Sequence, residues 1–156
     1  NTDFLSEILY DSIFCSYVIA FFQGMSLIQK VSDVNSWDID LMEVASVWEE
    51  GCIIKASIFK ELSKYLEPRL SIEILLVKLT KSKIENLSKV ANFGMDNGVP
   101  IPVLSSSLNY YRSIFSDSLP ANLIQLQRES FGSHGFEKVG RPGQLCHFTK
   151  ECNYDI

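Results

Sequence analysis

Residues 119–137 read Leu-Pro-Ala-Asn-Leu-Ile-Gln-Leu-Gln-Arg-Glu-Ser-Phe-Gly-Ser-His-Gly-Phe-Glu, the pattern of a helix that stops at a glycine. Pro120 is typical of a first helical turn, where a backbone N–H would have no partner within the helix. Gly132 can adopt the left-handed conformation that ends a helix. We therefore predict a helix that begins near Pro120 and ends at Gly132.

Two polar side chains flank this predicted helix end. Arg128 precedes it and offers a planar fork of N–H donors that suits a phosphate or a carboxylate. His134 follows it by two residues. By spacing alone the pair is typical of a surface charge and a helix cap, because short motifs often match by chance. An anion-binding pair is the alternative interpretation.

Apolar residues recur at three- and four-residue steps over most of the chain ahead of residue 119, which is the helical period. The predicted helices are a long one from Thr2 or Asp3 to about Ser32, a short one capped by Asp38 or Asp40 that runs through Trp48, and further helices at residues 53–65, at 70–77, at 81–97 and from 105 onward. One face of the 81–97 helix is predicted to be solvated, with Lys81, Lys83, Glu85 and Lys89.

The helical period disappears after Gly132, and no alternating strand pattern is visible. The sequence predicts an all-α fold, a helical bundle of about six to seven helices with an irregular C-terminal tail. The predicted division is a helical domain at residues 1–131 and a tail at residues 132–156. Because such a tail has no core of its own, we expect it to lie on another surface.

The first predicted helix contains an apolar run from Ile13 to Phe22. The run is shorter than the ~20 residues that cross a bilayer, and no basic targeting segment precedes it, so the sequence predicts a cytoplasmic protein with no membrane partner. Ile13, Phe14, Phe21 and Phe22 present more apolar surface than a small bundle easily hides, which predicts a homodimer. A plain core helix is the alternative.

Composition and motifs argue against several classes of function. The chain has 156 residues and a formal net charge of −5, whereas non-specific nucleic-acid binding needs a basic face. Cys146 and Cys152 lie near His147, but their spacing fits no common zinc pattern, so no metal site is predicted. No glycine-rich dinucleotide turn and no nucleophile–histidine set can be identified, so the chain is predicted to carry neither a cofactor site nor catalytic residues.

The 119–137 stretch resembles the C-terminal signature of the 6-phosphogluconate dehydrogenase family. Three upstream segments agree in order: Phe22-Gln23-Gly24, Trp48 with Gly51-Cys52-Ile53-Ile54-Lys55, and Gly98-Val99-Pro100-Ile101-Pro102. Pro142-Gly143-Gln144 with His147 then matches the tail. The resemblance covers nearly the whole chain and corresponds to the later half of the family's large helical domain. It implies an NADP-dependent oxidative decarboxylation of 6-phosphogluconate to ribulose 5-phosphate, a step of the pentose phosphate pathway.

The resemblance also implies where the parts of the active site lie. The family's cofactor domain, and the Lys and Glu that act as general base and acid, precede the matched part. NADP is therefore expected in the parent enzyme and not on this chain alone. The tail is expected to thread into the neighbouring subunit, where Arg128 would contact the substrate phosphate and His134 would hydrogen-bond the substrate.

A second hypothesis is a non-catalytic structural or interaction domain that kept the fold. It depends on departures from the family pattern. Glu49-Glu50 stands where the family has Arg-Gly, and Lys55 stands where it has Arg. The family also carries a second phosphate-binding arginine in the helix ahead of Phe22-Gln23-Gly24, whereas the first arginine of this chain is Arg69.

Overall fold

The structure is a computed structural model that describes residues 2–51, 57–66 and 72–147. The chain divides into two compact units, Asn1–Ile114 and Phe115–Ile156. The predicted helices at residues 53–65 and 70–77 lie partly outside the described residues, as do Cys52 and Cys152.

Within the described ranges the first unit consists of helices. They are α1 (Thr2–Asn35), α2 (Leu41–Glu50), α3 (Ser57–Ser63), α4 (Ile72–Thr80), α5 (Ile84–Asp96) and α6 (Pro102–Ile114). The second unit contains α7 (Ala121–Gly132) and a small antiparallel pair, β1 (Phe136–Glu137) and β2 (Leu145–Cys146). The predicted all-α fold of six to seven helices is confirmed.

Helix α1 is the central element of the first unit, and it packs against α4, α5 and α6. Its buried side chains form much of the core, namely Cys15, Val18, Ile19, Phe21, Phe22 and Met25. Phe21 stacks on Phe59 of α3, with ring centroids 5.6 Å apart, and meets the edge of Trp48 of α2 at 6.1 Å. A helix that is apolar on several sides needs several neighbours, and here it has them.

One stripe of α1 remains uncovered. Four apolar side chains at four-residue spacing are about half exposed or more: Leu5, Leu9, Ile13 and Tyr17. Of the residues for which the sequence predicts surplus apolar surface, Phe21 and Phe22 are core residues, whereas Ile13 is 52% exposed. The exposed apolar stripe of α1 therefore lies on the N-terminal side of Phe21 and Phe22, from Leu5 to Tyr17.

By length and composition, Leu5–Asn35 of α1 could cross a membrane, although the run from Ile13 to Phe22 alone is too short. In the structure this helix behaves as the core helix of a globular bundle. Two of its buried serines are satisfied within the helix, since Ser12 Oγ donates to Ile8 O and Ser16 Oγ donates to Ser12 O.

Two predicted helix starts have different outcomes. Asp40 caps α2, because its carboxylate accepts the backbone N–H of Met42 at 2.7 Å, as predicted for Asp38 or Asp40. The predicted start of α6 near Ser105 is wrong, since α6 begins at Pro102. A proline is tolerated in a first helical turn. Ser105 lies inside the helix, where its hydroxyl donates to Ile101 O at 2.7 Å.

Candidate functional site

The end of α7 carries the first of the two predicted site residues. Arg128 is exposed, and its Nη1 donates to Gln125 Oε1 one turn earlier at 3.3 Å. A guanidinium has five N–H donors, so this contact leaves most of them for an anion. The sequence placed Arg128 correctly on the last turns of a helix.

The helix end itself differs from the prediction. Gly132 is the last residue of α7, and the left-handed residue is Ser133, with φ 48°. The backbone N–H of Ser133 donates to Glu129 O at 2.8 Å. The prediction that Gly132 takes the left-handed conformation is therefore wrong by one residue.

Gly132 has another role, which concerns His134. A Cβ atom on Gly132 would lie 2.8 Å from His134 Nε2 and 3.1 Å from its Cδ2. The imidazole ring thus lies against the glycine. Any other residue at position 132 would have a Cβ atom that forces the ring to move. His134 itself is exposed.

A buried carboxylate lies beneath this exposed pair. Glu129, the residue after Arg128, is only 4% exposed. Its Oε2 accepts the backbone N–H of Gly135 at 2.6 Å, and its Oε1 lies 2.9 Å from His147 Nδ1, just after β2. Glutamate is almost never fully buried unless it is paired, and here both oxygens have partners.

No pattern in the sequence singles out Glu129. The helical period places Gln127 and three apolar residues, Leu123, Ile124 and Phe131, along one face of α7. In the structure all three are exposed, with Phe131 at 81%. The partner of Glu129, His147, lies 18 residues away along the chain, so only the folded structure shows that this carboxylate is buried.

The tail forms a small hairpin where the sequence predicts irregular chain. Phe136 pairs with Cys146 and Glu137 with Leu145. Strands of two residues show no alternating period, which is why the sequence did not reveal them. Gly135 takes a left-handed conformation, φ 74°, and a Cβ there would lie 3.3 Å from His147 Cε1.

The segment from Arg128 to His134 presents two exposed hydrogen-bonding groups, a guanidinium and an imidazole. Arg128 and His134 are exposed, whereas the acidic residue between them is turned inward and paired. An anion near this helix end would therefore meet donors rather than the Glu129 carboxylate. Within the described ranges, no group of three His, Cys, Asp or Glu side chains could hold a metal ion.

The first unit contains a separate ionic cluster that links α1 to the start of α5. Lys83 Nζ donates to Asp11 Oδ1, and Asn86 Nδ2 donates to Asp11 Oδ2 at 2.9 Å. The hydrogen bond from Lys83 lowers the pKa of Asp11, and the same bond raises the pKa of Lys83. The predicted solvated face is therefore wrong for Lys83, whose ammonium is drawn inward by a buried carboxylate.

Comparisons with known proteins agree over almost the whole chain. The family model described as "6-phosphogluconate dehydrogenase, C-terminal domain" matches residues 1–150. The enzyme named "6-phosphogluconate dehydrogenase, decarboxylating" of Staphylococcus aureus strain N315 is 38% identical over 149 residues, which are 90% of this chain and 31% of that protein. The Staphylococcus epidermidis protein of the same name (strain RP62A) is 38% identical over 144 residues, 89% of this chain and 30% of its own length.

A solved structure is similar as well. Plasmodium falciparum 6-phosphogluconate dehydrogenase superposes with a TM-score of 0.81 at 29% identity, covering 96% of this chain and 33% of that one. That protein is described in its apo form, with its cofactor NADP+ and with its substrate 6-phosphogluconate. The chain spans about a third of the length of the relatives that it matches.

Proposed function

Since the chain belongs to the 6-phosphogluconate dehydrogenase family, through the family's C-terminal domain, we propose that it is the dimerisation and substrate-tail portion of an NADP-dependent enzyme. The proposed reaction is the oxidative decarboxylation of 6-phosphogluconate to ribulose 5-phosphate in the cytoplasm. The catalytic acid and base and the cofactor site lie outside this chain. NADP, when bound by the parent enzyme, accepts the hydride.

The observation that carries this proposal is that the side chains of Arg128 and His134 are both exposed at the end of α7. A phosphate monoester is a dianion or nearly so near neutral pH, and a guanidinium can bind two of its oxygens at once. In this proposal Arg128 binds the phosphate of 6-phosphogluconate. His134 then hydrogen-bonds a second part of the same substrate, which fixes the orientation of the sugar chain.

The proposed partner is a second copy of the chain. Several apolar side chains of the second unit are exposed, among them Leu123, Ile124, Phe131 and Leu145. Exposed apolar groups grouped in one small unit favour docking on another protein surface. The uncovered stripe of α1 adds apolar surface in the first unit. We propose no nucleic-acid or membrane partner.

A second candidate function is a non-catalytic structural domain, which the acidic pair Glu49-Glu50 favours. Glu49 lies 3.8 Å from Lys60 Nζ and therefore serves a surface ion pair between α2 and α3. Such a surface pair typically contributes only ~0–1 kcal/mol to stability, but it gives Glu49 a structural contact at the position where the family pattern has a basic residue.

The two functions are separated by a chimera in which this chain replaces the matching C-terminal portion of the Staphylococcus aureus enzyme. The measurement is NADPH formation from 6-phosphogluconate. We expect activity, and we expect Arg128→Ala to raise the KM for 6-phosphogluconate on the order of tenfold to a hundredfold, because a hydrogen bond to a charged group contributes ~1.5–3 kcal/mol.

The matched control is Arg141→Ala, which removes an exposed arginine of the same unit from a turn of the hairpin. We expect its KM to stay within about twofold of the parent chimera. A folded, dimeric chimera without NADPH formation would contradict the enzyme proposal and leave the structural domain as the function.

A further inference from the structure

Both backbone neighbours of His134 are bound by one residue. The N–H of Ser133 donates to the main-chain oxygen of Glu129 at 2.8 Å, and the N–H of Gly135 donates to its side-chain Oε2 at 2.6 Å. His134 lies between these two donors, so its backbone is fixed on both sides while its ring stays exposed.

The second carboxylate oxygen extends this arrangement to the hairpin. Glu129 Oε1 lies 2.9 Å from His147 Nδ1, at the end of β2. The ionised form of Glu129 only accepts hydrogen bonds, and with that form Nδ1 of His147 is the donor. Glu129 therefore connects the end of α7 both to the residue that follows His134 and to the end of the hairpin.

Two glycines make this arrangement possible. At Gly132 a side chain would collide with the ring of His134, and at Gly135 it would crowd the ring of His147 and the side chain of Leu145. Gly135 also has φ 74°, a conformation that other residues rarely adopt. A side chain at Gly132 would therefore require the His134 ring to move, and one at Gly135 would crowd His147 and Leu145.

We propose that Glu129 is a positioning residue: it holds His134, and with it the substrate-binding end of α7, in the orientation that 6-phosphogluconate requires. This inference rests on the proposed function. Glu129 touches no substrate in this proposal; its side chain acts through the Gly135 amide and through His147.

The first test is kinetic and uses the chimera described above. A misplaced binding group weakens substrate binding, so Glu129→Gln and Glu129→Ala should raise the KM for 6-phosphogluconate on the order of tenfold or more, with a smaller change in kcat. A purely structural role gives the opposite pattern, because partial unfolding lowers the amount of active enzyme and the apparent kcat while KM stays constant.

Glu137→Gln is the matched control, since Glu137 is an exposed glutamate on β1 of the same unit. We expect its KM to remain within about twofold of the parent. His147→Leu should raise KM like Glu129→Ala, whereas His147→Asn should restore much of the loss, because its amide nitrogen offers a donor close to the position of Nδ1. An unchanged KM in folded Glu129→Ala, or equal KM values for His147→Leu and His147→Asn, would overturn the proposal.

The second test needs no activity. The chain contains two histidines, so ¹⁵N-histidine labelling of the 156-residue chain yields two ring systems, those of His134 and His147. We expect a protonated Nδ1 on His147, and we expect Glu129→Gln to shift the ring signals of both histidines. An unshifted His134 in a folded Glu129→Gln chain would overturn the positioning role. An inactive parent chimera together with the expected shifts would instead refute only the enzyme proposal.

Discussion

Replacing Asp11 by asparagine probes the contact between α1 and the start of α5. The carboxylate of Asp11 is 9% exposed and accepts hydrogen bonds from Lys83 Nζ and Asn86 Nδ2. The Lys83 ammonium also lies 5.7 Å from the centroid of the Phe14 ring, an attractive cation–π geometry. Asparagine keeps the shape of Asp11 and one acceptor oxygen but removes the charge.

The expected loss of stability follows from the burial of the two partners. Removing one member of a buried ion pair costs ~3–5 kcal/mol, because the other charge stays buried without compensation. The Lys83 side chain is 32% exposed, so water solvates part of its charge. We therefore expect Asp11→Asn to lower the free energy of unfolding by about 2–3 kcal/mol near neutral pH.

The loss should depend on pH with a defined sign. Because the native pKa of Asp11 is lowered, chiefly by Lys83, its contribution is present above the unfolded pKa of ~3.9 and is lost as the pH falls through the native pKa. Because the native pKa of Lys83 is raised, its contribution is present below ~10.4 and is lost as the pH rises through the native pKa. The difference between parent and variant should be greatest between about pH 5 and pH 9.

The assay is urea unfolding followed by tryptophan fluorescence and circular dichroism. The matched control is Asp33→Asn, since Asp33 is an exposed aspartate of the same helix that accepts a hydrogen bond from Gln29. We expect the control to change the free energy of unfolding by less than ~0.5 kcal/mol. Equal losses for the two variants, or a difference that does not change with pH, would refute the reasoning about this ion pair.

Further outcomes follow from the same structure. Burial raises the pKa of the Cys15 thiol to about 12. A thiol reagent near neutral pH should therefore modify the partly buried Cys146 of the native chain and leave Cys15 unmodified, as measured by mass spectrometry. Rapid modification of Cys15 would contradict its placement in the core. Since a Cβ at Gly94 would lie 2.7 Å from Ile101 Cδ1, Gly94→Ala should lower the free energy of unfolding by about 1–2 kcal/mol despite its better helix propensity, and a stabilised variant in a thermal melt would contradict this packing. The isolated chain should give no heat of NADP binding by calorimetry, and measurable affinity would contradict the placement of the cofactor site outside it.

Local patterns predicted much of the fold. The helical period identified α1 and α5, and Asp40 was among the predicted caps, because caps and apolar spacing depend on neighbours in sequence. The start of α6 was misplaced because three consecutive serines favour a helix start, whereas the preceding proline is equally compatible with a first turn. In the structure Ser105 donates back to Ile101 O and thus lies within the helix.

Some residues of the candidate site could be predicted from the sequence, and others could not. Arg128 and His134 could be selected from the motif and its resemblance, because they follow each other closely along the chain. Glu129 and Lys83 could not, since each is drawn inward by a partner far away in sequence, His147 and Asp11 respectively. A helical pattern assigns charged residues to the surface, and only the tertiary structure shows which of them find a buried partner.

The family resemblance implies that Arg128 and His134 serve the active site of the neighbouring subunit, and we propose that they do so here. Subunit mixing tests it directly. One chimera carries Arg128→Ala, and the other lacks the general-base lysine that the resemblance implies in the family's upstream portion. Each alone should be nearly inactive at low substrate concentration.

Mixed and reassembled in equal amounts, the two chimeras should recover about a quarter of the parent's NADPH formation. Half of the dimers are then heterodimers, and each heterodimer has one intact site of two. This recovery is the result that the account predicts. A mixture in which heterodimers form but remain as inactive as either chimera alone would show that Arg128 acts within its own subunit, and it would contradict the central claim.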